Sequence, residues 1–264
     1  VDAVEVGGLR IAFRREGAGE PLLLLHGGAS DGREWGLQFA RLAEAYDVVA
    51  WDAPGCGGSE DPPEGFRLPD FADSAAGLVR TLGLVRPHVL GLSFGAGLAI
   101  ELARRHPLLP RTLLLASAYA GWAGSLPPGE VAARLAGALA LADRPPAEWS
   151  REWVSGLFAG PPPPGLRDEV MRITLDARGA GLRTMARAFA EADLRDALPG
   201  IAVPTLLLHG ELDERSPLAV AHELHASIPG STLVVMSGVG HQCNLEAPDR
   251  FTDEVLTFLR AARA

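Results

Sequence analysis

Ser93 lies between two glycines in Gly91-Leu92-Ser93-Phe94-Gly95. A short apolar run, His88-Val89-Leu90, precedes this segment, and a helix-like stretch, Ala96 to Arg105, follows it. Between a strand and a helix, Gly-x-Ser-x-Gly sets the serine on a tight, strained turn with its hydroxyl in the open. The glycines are needed because flanking side chains would collide where the backbone doubles back. A serine hydroxyl is a poor nucleophile at neutral pH. It needs a base within roughly 2.6–3.2 Å and a third group that orients that base.

His241 has the best placement for the base. It stands in Gly238-Val239-Gly240-His241, a glycine-rich loop after the last predicted strand. The other histidines have blander settings. His26 shapes a turn before Gly27-Gly28, His88 opens a strand, and His106 ends a helix. His209 ends a strand, while His222 and His225 share one helical segment. The orienting acid should also come from a strand end, buried enough to hold the imidazole in one tautomer. Asp213 fits, just past Val203–His209, with Glu211 and Glu214 as competitors. A developing oxyanion needs two backbone N–H donors. Phe94 supplies one from a helix N-terminus, where the dipole also favours negative charge. The turn His26-Gly27-Gly28-Ala29 offers the other, from Gly28 or alternatively Ala29.

These residues must converge from distant parts of the chain, so the elements between them matter. Val4–Val6 and Leu9–Phe13 flank Gly7-Gly8 and read as a hairpin. Strands are predicted at 21–26, 47–51, 88–92, 111–116, 203–209 and 232–236. Helices are predicted at 36–45, 69–82, from 96, and at 248–259. Alternation of strand and helix implies βαβ units: an α/β fold with a mostly parallel sheet and helices on both faces. Ligands then sit beyond the carboxyl ends of the strands, which is where Ser93 falls. The stretch from about 120 to 199 breaks the alternation. It reads as helices near 129–142, 147–158, 166–178 and 182–193, separated by Pro145-Pro146 and Pro161 to Pro164.

The 264 residues are 47% hydrophobic, enough for a sizeable core, and the formal charge of −9 with no basic run argues against nucleic-acid binding. No lysine occurs. The arginines are scattered, a usage typical of GC-rich coding rather than of an anion-binding patch. Cys56 and Cys243 are too few for a disulfide framework and read as small apolar fillers, and no Cys/His pair has metal-ligand spacing. No signal peptide or bilayer-spanning run is visible, so a soluble cytoplasmic protein with no membrane association is expected.

The chain resembles the α/β-hydrolase fold superfamily over nearly its full length. The order Ser93, Asp213, His241 fits that family. So do Leu25-His26-Gly27-Gly28, Asp52-Ala53-Pro54-Gly55-Cys56-Gly57-Gly58-Ser59, and Gly240-His241 followed by Glu246-Ala247-Pro248. The resemblance implies about eight strands and a helical cap. On that reading residues 1–119 and 199–264 form the core, and 120–198 form the cap. The expected activity is serine hydrolysis of an ester, lactone or related acyl compound, without cofactor or metal. Carbon–carbon bond hydrolysis on the same triad is the alternative, and a non-catalytic ligand-binding protein is a third reading. Trp122, Trp149, Trp153 and Phe158, with Ala29, are candidates for the wall of a pocket that takes a small molecule with an apolar part. Packing of the cap on the core is the competing use for those rings.

Overall fold

The computed structural model describes residues 1–262. Eight strands form one sheet: β1 Asp2–Val6, β2 Leu9–Gly17, β3 Glu20–Leu25, β4 Tyr46–Trp51, β5 His88–Leu92, β6 Thr112–Ala116, β7 Thr205–Gly210 and β8 Thr232–Met236. Their spatial order is β1-β2-β4-β3-β5-β6-β7-β8. The first two pairings, β1 with β2 and β2 with β4, are antiparallel. All the others are parallel. Strands β3, β5 and β6 carry runs such as Leu22–Leu25 and Leu113–Leu115 that are fully buried. Such runs suit strands covered on both faces, and two apolar clusters lie against this sheet.

Helices α1 Gly36–Ala43, α2 Leu68–Thr81 and α3 Phe94–Arg105 follow successive strands of the first half. Between β6 and β7 come α4 Pro128–Ala142, α5 Ser150–Ser155, α6 Pro164–Leu175 and α7 Gly179–Glu191, with no strand among the described residues there. The second half adds α8 Leu218–Ser227, the short turn α9 Cys243–Glu246, and α10 Pro248–Ala261.

Two expected helices have different limits. The one predicted over 147–158 is a 3-10 turn, Pro146–Glu148, and then the six-residue α5. Gly156 closes α5, its N–H donating to the Glu152 and Trp153 carbonyls. The proline run is not all connector either, since Pro164 opens α6, where its fixed φ suits a first helical turn.

Register positions the chemistry. Leu25 at the end of β3 pairs with Gly91 of β5, and Leu92 pairs with Ala116 of β6. Ala116 pairs in turn with Leu208 of β7, and Gly210 pairs with Met236 of β8. The segments after β3, β5, β6, β7 and β8 therefore emerge side by side along one edge. No helix among the described residues is long and apolar enough to cross a membrane.

Candidate active site

Ser93 sits between β5 and α3 at φ 53°, ψ −110°, a conformation that costs a non-glycine residue about 1–3 kcal/mol. Its neighbours explain why the surrounding fold can hold it there. A Cβ on Gly91 would stand 2.2 Å from the Gly95 carbonyl oxygen, and one on Gly95 would stand 2.1 Å from that of Leu25. Only glycine allows α3 to begin directly against β3 and β5. The Ser93 N–H donates to the Ala116 carbonyl at 2.8 Å, anchoring the turn on β6.

Asp213 follows β7 and is buried. The His241 Nδ1–H donates to it, at 2.8 Å from Oδ2 and 3.0 Å from Oδ1. Oδ1 also accepts from the Arg215 and Ser216 N–H groups, at 2.9 and 2.8 Å. Burial pushes the Asp213 pKa up, but the neighbouring His241 charge and these hydrogen bonds outweigh it, and the net shift is downward. Asp213 is therefore an anion at neutral pH, and it fixes the His241 tautomer with Nε2 as the free acceptor. Nothing comparable engages Glu211, which accepts from Ser237 and Gly238 at the surface.

Ser93 and His241 line one cavity of about 70 Å³, with Gly27, Gly28, Phe94 and Gln242. No hydrogen bond joins the two side chains among the described residues. Catalytic contacts of this kind often tighten only once substrate is bound. The Gly28 and Phe94 N–H groups take no protein acceptor among the described residues. The Gly27 N–H does, donating to the Glu34 carboxylate at 2.7 Å. Of the three N–H groups, Gly28 and Phe94 are thus the uncommitted ones.

Trp122 and Trp153 line this cavity. Ala29, Trp149 and Phe158 do not, contrary to the sequence expectation. Trp149 is 3% exposed and packs in a separate apolar cluster with Ala29, Ala142 and Leu182. Ala29, at φ 55°, borders a separate small cavity with Ser30, Gly55 and Cys56. Phe158 borders a different groove of about 940 Å³, with Leu37 and Pro161 to Pro163. That groove is much the larger, but none of Ser93, Asp213 and His241 borders it, so size is no guide to the chemistry here.

Several wall residues carried no signal in the sequence. Leu157, Leu182, Met185 and Phe189 supply apolar surface, and Tyr119, Arg134 and Arg215 supply polar groups. The helical periodicity of α7 could have marked its inward face, but not what that face meets. Phe189 and Phe94 contact edge to face at 5.3 Å, joining α7 to the residue after the serine.

Three further groups hold the loops. The buried Glu34 accepts from Gly27 on one oxygen and from the Gln242 side chain, at 3.1 Å, on the other. Burial raises the Glu34 pKa above the usual carboxylate range. Glu246 accepts from Gly240 and Ala159, at 2.9 and 3.0 Å, tying the histidine loop to the segment after α5. His26 donates from Nδ1 to the Gly27 carbonyl and accepts the Ala53 N–H at Nε2, which is the turn-shaping role expected of it. Both cysteines are buried, and burial pushes the Cys243 thiol up to about 12, so neither offers a thiolate. Among the described residues no group of three or more His, Cys, Asp or Glu side chains could hold a metal ion.

Known proteins resemble this chain in sequence and in fold. A family model described as "Alpha/beta hydrolase family" matches residues 22–254. A thermophilic esterase from Thermogutta terrifontis superposes with a TM-score of 0.92 at 28% identity, covering 100% of both chains. The 2-hydroxymuconate semialdehyde hydrolase of Pseudomonas putida is 30% identical over 273 residues, 97% of this chain and 93% of that protein. A putative carbamate hydrolase, RutD, of Pantoea ananatis is 28% identical over 251 residues, 91% of this chain and 88% of its own.

Proposed function

Because the chain belongs to the alpha/beta hydrolase family, we propose that it is a serine hydrolase of carboxylic esters, lactones or related acyl compounds. The observation that carries this reading is the Asp213–His241 pair, 2.8 Å apart, beside a serine held at φ 53° on the same cavity.

Ser93 Oγ attacks the carbonyl carbon as its proton passes to His241 Nε2. Asp213 stays ionised and stabilises the imidazolium. The negative charge that develops on the carbonyl oxygen is met by the Gly28 and Phe94 N–H groups. His241 then protonates the leaving oxygen, the carbon–oxygen bond breaks, and an acyl ester on Ser93 remains. Water, losing a proton to His241, attacks that ester; the acyl–Oγ bond breaks, His241 returns the proton to Ser93 Oγ, and the acid leaves. The segment 120–198 acts as a cap whose helices shape the substrate pocket, and the substrate presents an apolar part to Trp122, Leu182 and Phe189. Support for the ester reading comes from the esterase likeness of the fold. The likeness to a semialdehyde hydrolase supports carbon–carbon bond hydrolysis as the second reading.

Turnover of p-nitrophenyl esters and labelling by a fluorophosphonate test the proposal. Wild-type protein should turn over the esters and take one label on Ser93, and Ser93→Ala should lose both while keeping its circular dichroism spectrum. Undiminished turnover by Ser93→Ala would overturn it. Turnover of a dienoate but of no ester would favour the second reading.

A further inference from the structure

The catalytic cavity is walled mainly by apolar side chains, yet two arginines border it. Arg134 is committed. Its guanidinium donates to Glu130, to the Tyr119 hydroxyl and to the Arg215 carbonyl. Arg215 is not. Its Nε–H donates to the Gly156 carbonyl at 3.0 Å, and its guanidinium lies 4.2 Å from the centre of the Trp153 ring. Neither terminal nitrogen has a protein acceptor, and no carboxylate lies within 4.0 Å of them, among the described residues. Asp213, two positions before it, receives only the Arg215 backbone N–H and is already engaged by His241, and the adjacent Glu214 makes no ion pair with it among the described residues.

A guanidinium is charged at any working pH. Holding one partly buried beside a second arginine, without a carboxylate, is unfavourable unless an anion completes the site. The geometry is that of a prepared receptor. The guanidinium carbon lies over the Trp153 ring, and the Nε–H is taken by the Gly156 carbonyl. The opposite edge keeps two parallel N–H directions, which match a carboxylate and no neutral oxygen as well.

We propose that Arg215, with Arg134 behind it, binds a free carboxylate on the substrate, so that the preferred substrate is an acyl compound with an anionic end. This rests on the serine-hydrolase reading for the reaction, but not for the binding. Pre-set polar groups in an otherwise apolar pocket commonly fix a ligand's orientation. Here they would hold the anionic end against α5, with the carbonyl toward Ser93.

Two measurements on intact protein test it. The first compares p-nitrophenyl hydrogen glutarate with p-nitrophenyl valerate, which replaces the carboxylate by a methyl group. Wild-type protein should favour the anionic ester in kcat/KM. In Arg215→Met the ratio of anionic to neutral kcat/KM should fall roughly 10- to 100-fold, mostly through KM of the anionic ester. Arg215→Lys, which keeps the charge but not the fork, should fall in between. A brace that merely joins α5 to the loop after β7 would lower both esters equally, and that result would overturn the proposal.

The second measurement is calorimetric binding of glutarate and of neutral glutaramide. Glutarate should bind wild-type protein, glutaramide should not, and Arg215→Met should lose the difference. Absence of glutarate binding to wild-type protein would overturn the proposal, whatever the esters do. Arginine-dependent glutarate binding without any ester turnover would leave the carboxylate site standing and refute the serine-hydrolase reading instead.

Discussion

The Ser117 hydroxyl donates to the His241 carbonyl at 2.8 Å, so the end of β6 holds the loop that carries the imidazole. Ser117 is fully buried and adopts φ 46°, one of few non-glycine residues at positive φ. Its own N–H donates to the Leu208 carbonyl at 2.9 Å, which fixes it to β7. Strands β6 and β7 thus both brace the histidine, one through Ser117 and the other through Asp213.

Removing that hydroxyl leaves the His241 carbonyl without this donor. Ser117→Ala should cost about 1–3 kcal/mol of stability, the usual penalty for an orphaned buried acceptor. On the proposed mechanism Ser117 acts through His241, as a positioning residue. Its loss should slow Ser93 labelling by a fluorophosphonate about tenfold and lower kcat more than it raises KM. Denaturant midpoints and labelling rates measure the two effects. A stability loss with an unchanged labelling rate would refute the positioning role.

Glu34 makes stability depend on pH in a definite direction. Its pKa in the folded protein is raised above the ordinary value of 4.5, first by burial. Between the unfolded and folded values the native state holds the proton and the unfolded state does not. Stability from this group therefore falls as pH rises from about 4.5 through the folded value, by at most about 1.4 kcal/mol per pH unit. Glu34→Gln cannot ionise and should remove that part of the slope while keeping an acceptor for the Gly27 N–H. Urea unfolding of both proteins from pH 4.5 upward checks it, and parallel pH profiles would refute it.

Gly95 tests the turn itself. An added Cβ would lie 2.1 Å from the Leu25 carbonyl oxygen, and neither backbone segment can give way, because α3, β3 and β5 meet there. Gly95→Ala should destabilise the protein by at least about 3 kcal/mol, at the upper end of overpacking costs. A denaturant midpoint near that of wild type would show that α3 can move away from β3.

Much of this was legible in the sequence because it is local. Continuous apolar runs and alternation with amphipathic stretches predicted most strands to within a residue or two, for instance β5 at His88–Leu92, although β2 runs on to Gly17, four residues past the expected end at Phe13. Four chemically equipped segments at strand ends, carrying Gly28, Ser93, Asp213 and His241, followed from the same pattern, whereas Ser117 after β6 did not. The helices between β6 and β7 were legible as helices, but their inward faces were not. Trp149 and Trp153 are four residues apart on neighbouring turns, yet Trp149 packs with Ala29, Ala142 and Leu182 while Trp153 borders the cavity. Periodicity identifies an apolar face without saying whether a neighbouring helix or empty space lies against it. Arginine usage was equally opaque, since Arg215 resembles its many surface counterparts until Trp153 and Gly156 are brought beside it.

By itself, then, the sequence determined the alternating α/β plan and the small set of residues proposed here to carry the chemistry, because propensity, turn chemistry and motif spacing act over a few neighbouring residues. Tertiary structure decided which of them meet. Ser117 and His241 are 124 positions apart, and Glu34 and Gln242 are 208 apart. Such contacts depend on the order of strands in the sheet and on the register between them, and no local pattern encodes either. The same holds for the cavity wall, where the order β3-β5-β6-β7-β8 sets the turn, the serine, the brace, the acid and the histidine in a row along one edge.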